Sequence, residues 1–155
     1  MEMNNNSNYM KKGFTLVELV VVVAVVGLMT TVTLVLLDPA TQLKKARDAK
    51  RKADLSQIQS ALELYRADQN AYPTSLPTCG GALYTTTTVY IRKAPCDPKN
   101  TGQLTYRYIP SGTPPVIYWI VACLENVNDS DKDATNLSSY CTGGTTNWSY
   151  TVTNP

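Results

Sequence analysis

The sequence predicts an α+β fold: a long N-terminal helix, apolar in its first half and amphipathic in its second, packed on a three- or four-stranded antiparallel sheet. Three observations carry this prediction. The 24 residues from Phe14 to Leu37 hold a single charge, Glu18. Residues 40–68 follow with strong helix formers, no internal Gly or Pro, and a one-sided apolar stripe. Beyond residue 71 lie eight of the nine prolines and six of the eight glycines, set between Tyr- and Thr-rich stretches. A length of 155 residues fits one ordinary domain plus an appendage. The charged fraction is only 17%, and the net charge of +2 is too mild to argue for nucleic acid by itself.

Residues 1–13 form a short polar head-piece ending in Lys11-Lys12-Gly13, and the apolar run begins at once. Eighteen of the 24 residues in 14–37 are Ala, Val, Leu, Met or Phe. As a helix they would span ~36 Å, enough to cross a ~30 Å hydrocarbon core. Nine are Val, which in water favours strand. The run is too long for a strand, and lipid demands backbone bonds satisfied within the segment, so a transmembrane helix is expected. A secretory signal peptide fits poorly, because the apolar run is too long and no small-x-small site follows it.

Gly13-Phe14-Thr15-Leu16-Val17-Glu18 resembles the class III signal of type IV pilins and type II secretion pseudopilins. The resemblance implies cleavage between Gly13 and Phe14 by a membrane prepilin peptidase on the cytoplasmic face. It further implies N-methylation of Phe14. A carboxylate inside an apolar helix costs ~2.5–3.5 kcal/mol near its centre and less near an end, so Glu18 needs a partner. The positive end of the helix and the new amine of Phe14, on the same or a neighbouring chain, are both available. The resemblance implies that Glu18 recruits the next subunit through that amine; a tolerated carboxylate near the interface is the plain alternative.

Residues 38–70 are expected to continue the stem after a kink or break at Asp38-Pro39. Leu43, Ala46, Ala49, Ala53, Leu55, Ile58, Leu62 and Tyr65 carry the apolar stripe, and Gln69 to Pro73 stops the helix. Such a stem would pack sideways with its copies, and a heterologous contact that does not close builds a filament. Between Lys44 and Lys52 stand six Lys or Arg and one acid, Asp48. Three readings stay open: a solvated face, pairing with acidic loops of neighbouring subunits or lipid phosphates, or DNA along a filament. No aromatic residue is interleaved, which weakens the DNA reading.

Residues 71–155 read as a domain of short antiparallel strands. Leu104–Ile109 alternates, Val116–Leu124 is the best central strand, Trp148–Thr153 is the last, and Leu83–Tyr90 is strand or loop. Tyr72-Pro73-Thr74, Pro95-Cys96-Asp97-Pro98 and Tyr118 to Asn126 are similar to landmarks of the major pseudopilins. The chain departs by carrying four cysteines, and by Lys99-Asn100 where a Trp-Gly pair often follows the Asp-Pro. Four cysteines allow three pairings. Cys79–Cys96 and Cys123–Cys141 are favoured because each closes a short loop around a strand or turn, as structural staples in an oxidising compartment. Asp129, Asp131 and Asp133 alternate as calcium ligands would, but Ala134 and Tyr140 break the EF-hand pattern. Major pseudopilins hold calcium in a C-terminal loop of another design. Calcium and a solvated turn are therefore both readings of this loop, and no other cofactor is implied.

No catalytic constellation is present: there is no histidine, no phosphate loop, no GxSxG. The chain is therefore expected to be structural, not an enzyme. The resemblance implies a homopolymeric pilus or pseudopilus subunit serving motility, adhesion, secretion or DNA uptake. It would be stored in the cytoplasmic membrane with its C-terminal domain outside, then built into a cell-surface or periplasmic filament by an assembly ATPase and a platform protein. A membrane-tethered or minor-pilin module that binds surface glycan or DNA is the alternative.

Overall fold

The computed structural model describes residues 13–36, 38–142 and 147–155, with 32–36 as backbone only. The head-piece 1–12 lies outside the described residues. Helix α1 runs Leu16–Leu36 and helix α2 runs Pro39–Gln69. The expected break is present, with Asp38 at φ 36° and Pro39 opening α2, where a missing N–H costs nothing. The chain divides into two compact units at this point, up to Pro39 and from Ala40 onward. Helix α2 ends as predicted: Asn70 takes the left-handed conformation, φ 56°, and its N–H reaches Arg66 O at 2.8 Å.

The expected membrane span over 14–37 is not met among the described residues, where no helix is long and apolar enough to cross a membrane.

The second unit holds two sheets. Strands β1 (Leu83–Tyr84) and β2 (Val89–Ile91) form a small antiparallel pair. Strands β3 (Arg107–Gly112), β4 (Pro115–Leu124) and β5 (Trp148–Thr153) form an antiparallel meander in the order β3-β4-β5. The final and central strands fall where predicted. The strand expected at Leu104–Ile109 begins three residues later, because Thr101 and Leu104 close a tight bridge around Gly102 at φ 57°. Between β3 and β4, Gly112 sits at φ 102°, and a Cβ there would lie 2.9 Å from Pro114 O, so only glycine fits this turn.

The near-continuous apolar run of β4 is explained by two cores, one on each face of the sheet. Tyr118, Ile120 and Ala122 meet Leu55, Ile58, Ala61 and Leu62 of α2. The alternate residues Val121 and Cys123 meet Cys141, Leu104, Ile109 and Tyr140 under the 125–142 segment. The predicted stripe Leu55/Ile58/Leu62 is buried, with Tyr65 packed against it. Each such Leu or Ile contributes ~1.5–3 kcal/mol by leaving water. The first half of the stripe is a correction. Leu43, Ala46, Ala49 and Ala53 are exposed, and the inward face there is Asp48, Arg51 and Asp54.

Candidate functional site

Gly13, Phe14 and Thr15 precede α1 without regular structure, and Phe14 is 86% exposed. Thr15 Oγ1 accepts a hydrogen bond from Glu18 N at 3.2 Å, and Thr15 O accepts one from Leu19 N. Thr15 is therefore the N-cap of the helix, and Thr15-x-x-Glu18 has the capping-box spacing, a local signal legible in the sequence. Glu18 stands in the first turn, where the helix end is positive. A Cβ on Gly13 would meet nothing within 4 Å. Among the described residues no packing requires glycine at that position.

On α2 the basic segment faces its own chain. Arg51 is fully buried and forks onto Asp97, Nε to Oδ2 at 2.6 Å and Nη2 to Oδ1 at 3.0 Å. Its Nη1 reaches Asp48 Oδ1 at 2.6 Å and Glu125 Oε1 at 2.9 Å. Asp48 in turn accepts from the backbone N–H groups of Glu125 and Asn126 at 2.9 and 2.7 Å. Arg47 grips Glu125 with Nε and Nη2 at 2.7 and 2.8 Å, and Lys99 adds a third cation at 2.8 Å. Lys50 pairs with Asp54, which also accepts the Tyr106 hydroxyl at 2.7 Å. Of the six basic residues, Lys44 and Lys45 remain as an exposed pair; the other four find acids in the same chain. The three readings made from sequence all placed those partners elsewhere. Hydropathy alone did not show that the inward face of α2 turns from apolar to ionic at Asp54.

These contacts tune the charges. Hydrogen bonding by Arg47 holds the Glu125 carboxyl well below the usual carboxylate range; burial opposes this and is outweighed, with Lys99 and Arg51 adding to the depression. For Arg51, burial works to lower the pKa but is overcome by Asp97 and Asp48, so the guanidinium stays charged. A depressed carboxyl adds stability above its unfolded pKa of 4.5 and loses it as the pH falls below that value. The unfolding free energy from urea titration should therefore be flat at neutral pH and fall below about pH 4.5, by up to ~1.4 kcal/mol per pH unit from this group. In Arg47→Gln the acid limb should be shallower; identical limbs in the two proteins would contradict this assignment.

The three aspartates of the 126–133 loop do not converge. Asp129 and Asp131 both take the Lys52 ammonium, the latter at 2.7 Å. Asp133 faces β5, accepting Thr151 N at 3.0 Å and Thr151 Oγ1 at 2.7 Å. Its own N–H bonds Ser149 O, and Asn136 Oδ1 accepts Ser149 N, so this segment covers the outer edge of β5. Among the described residues no group of three Cys, Asp or Glu is placed to hold a metal ion. Both expected disulfides are formed, Cys79–Cys96 and Cys123–Cys141. In the Lys99-Asn100 pair that follows Asp97-Pro98, Asn100 adopts φ 47°, a conformation Asn tolerates in place of glycine, and its N–H bonds Asp97 Oδ1.

The sequence comparisons agree with this geometry. The prokaryotic N-terminal methylation motif matches residues 8–34, the end of the head-piece and most of α1. The family of type II secretion system protein G matches residues 39–117, α2 through the start of β4. The chain belongs to that family. Among curated relatives, the type II secretion system core protein G of Pectobacterium carotovorum is 34% identical over 106 residues, 61% of this chain and 66% of that protein. That of Dickeya chrysanthemi is 31% identical over 98 residues, 57% of this chain and 63% of its own length. The chain thus spans just under two thirds of these two protein G relatives. The protein G of Pseudomonas aeruginosa is 29% identical over 139 residues, 81% of this chain and 94% of that protein. No solved structure gives a significant match. The protein G match includes the Cys79–Cys96 bridge and ends before the Cys123–Cys141 bridge and the 126–133 loop.

Proposed function

We propose that this chain is the structural subunit of a type II secretion pseudopilus, made as a membrane-anchored precursor and polymerised through α1. Cleavage falls between Gly13 and Phe14, Phe14 is N-methylated, and residues 14–37 sit in the cytoplasmic membrane until the subunit enters a periplasmic homopolymer. A prepilin peptidase, an assembly ATPase and a platform protein serve it. The observation that carries this reading is the exposure of α1, whose apolar side chains are open to solvent on every side, from Leu16 at 78% to Val25 at 45%. An apolar helix of this kind requires lipid or sister helices around it. Its threonines support the same environment: Thr30 Oγ1 bonds Val26 O and Thr31 Oγ1 bonds Leu28 O, so neither hydroxyl needs water. The exposed small-residue face of α2, Ala46, Ala49 and Ala53, suits close lateral approach of neighbouring stems. Because nothing among the described residues demands glycine at position 13, we assign its role to the peptidase that reads the bond.

Glu18 neutralises the Phe14 amine of the adjoining subunit in this scheme. Glu18→Ala should insert and be cleaved, giving mature protein that begins at N-methylated Phe14 by mass spectrometry, while sheared filament falls to background. Gly13→Leu should instead keep the head-piece. Normal filament yield from Glu18→Ala, or mature protein starting at Met1, would refute the proposal.

A further inference from the structure

We propose that the Lys52 ammonium occupies a divalent-cation position between Asp129 and Asp131, making the loop 126–133 independent of metal. The loop brings two carboxylates to one point. Asp131 N donates to Asp129 Oδ1 at 2.9 Å, which turns both side chains the same way, and Lys52 Nζ bonds an oxygen of each. Two carboxylates so placed repel unless a cation joins them. Here the cation arrives from α2, 77 residues away along the chain, on a side chain that is 23% exposed. The face of the Tyr150 ring completes the surroundings, with its centroid 5.8 Å from Nζ.

Two further groups of the loop are occupied as well. Asp133 is committed to Thr151. The Val127 carbonyl takes the Lys132 ammonium at 2.6 Å, and that ammonium also lies over the Trp148 ring at 4.5 Å. Two of the three carboxylates are thus met by one internal ammonium group, and the third by two donors from β5. The arrangement also joins α2 to the segment covering the β5 edge, a link that a free ion would otherwise supply. Lys52 is held protonated there: burial works against the charge, and the bonds to Asp129 and Asp131 outweigh it.

Removing the ammonium should therefore open a site. In detergent-solubilised full-length protein, Lys52→Ala should give saturable terbium luminescence sensitised by Tyr150 and displaced by calcium, while the unsubstituted chain gives none. Excess calcium should raise the melting temperature of Lys52→Ala by ~3 °C or more and leave the unsubstituted chain unmoved. Lys52→Gln, which keeps the stem without the charge, serves as the second variant should the alanine protein fail to fold. Terbium emission that survives in Lys52→Ala/Asp129→Asn would place the ion elsewhere and overturn the proposal. So would calcium stabilisation of the unsubstituted chain equal to that of the variant, or the absence of terbium binding in both Lys52 variants.

Discussion

Replacing Arg51 with Met should destabilise the second unit by about 3–5 kcal/mol, the largest effect expected of any single substitution in this chain. The reason is the charge left behind. Arg51 is the only cation touching Asp97 and Asp48 among the ion pairs of the described residues, and the Asp97 side chain is 0% exposed. Without the guanidinium, Asp97 keeps only the backbone N–H groups of Lys99 and Asn100, and Asp48 those of Glu125 and Asn126. Glu125 loses one of three cations and retains Arg47 and Lys99. Arg51→Lys should recover little of the loss, because a point charge cannot fork onto Asp97 and also reach Asp48. Urea unfolding followed by tryptophan fluorescence measures the change, and a loss under ~1 kcal/mol would show the cluster to be idle.

A second substitution separates two explanations of that loss. If the cost lies in stranded carboxylates, Arg51→Met/Asp97→Leu should be more stable than Arg51→Met alone, since the second change removes a buried charge. If the cluster is net favourable, the second change adds to the damage. Its position gives the cluster a reason to persist even at no net gain. It fixes the exit of β4 against one turn of α2, where an apolar contact would permit sliding along the helix.

What could be read from the sequence follows from what hydropathy and backbone chemistry report. The break at Asp38-Pro39 and the stop at Asn70 are backbone effects, local to their residues, and both stand in the structure. Strand β4 was legible because both its faces are buried, and β5 because it alternates between turn clusters. The Leu55-Ile58-Leu62 stripe was legible for the same reason. Its continuation through Arg51 and Asp48 keeps the same helical spacing but not the same polarity, so an apolar count moved the stripe onto the exposed alanines. Of the site, Gly13, Phe14 and Glu18 stand in one contiguous motif. The Lys52–Asp129–Asp131 contact joins residues nearly eighty apart, and no local pattern reports such a pairing. The cap at Thr15 is local too, a Thr three residues before Glu18 whose hydroxyl accepts the Glu18 N–H.

Removing Cys123–Cys141 should cost about 3–4 kcal/mol, and more than removing Cys79–Cys96. The two bridges close loops of nearly equal length, with separations of 18 and 17 residues, so chain entropy assigns each ~3 kcal/mol. Packing separates them. Cys123 and Cys141 are 2% and 0% exposed and form the second core with Val121, whereas Cys79 is open to solvent. Cys123→Ala/Cys141→Ala therefore adds a cavity beside Leu104, Ile109 and Tyr140, expected at roughly 1 kcal/mol beyond the entropic loss. The consequence also reaches the sheet. The segment that this bridge anchors carries Asp133 and Asn136, which occupy the N–H groups of Thr151 and Ser149 along the edge of β5. Loosening it uncovers an edge able to pair with another chain. Hydrogen exchange at Ser149 and Thr151 should accelerate in the Cys123/Cys141 variant and stay slow in Cys79→Ala/Cys96→Ala. Equal costs for the two variants, with unchanged exchange at β5, would reduce both bridges to simple restraints on the unfolded chain.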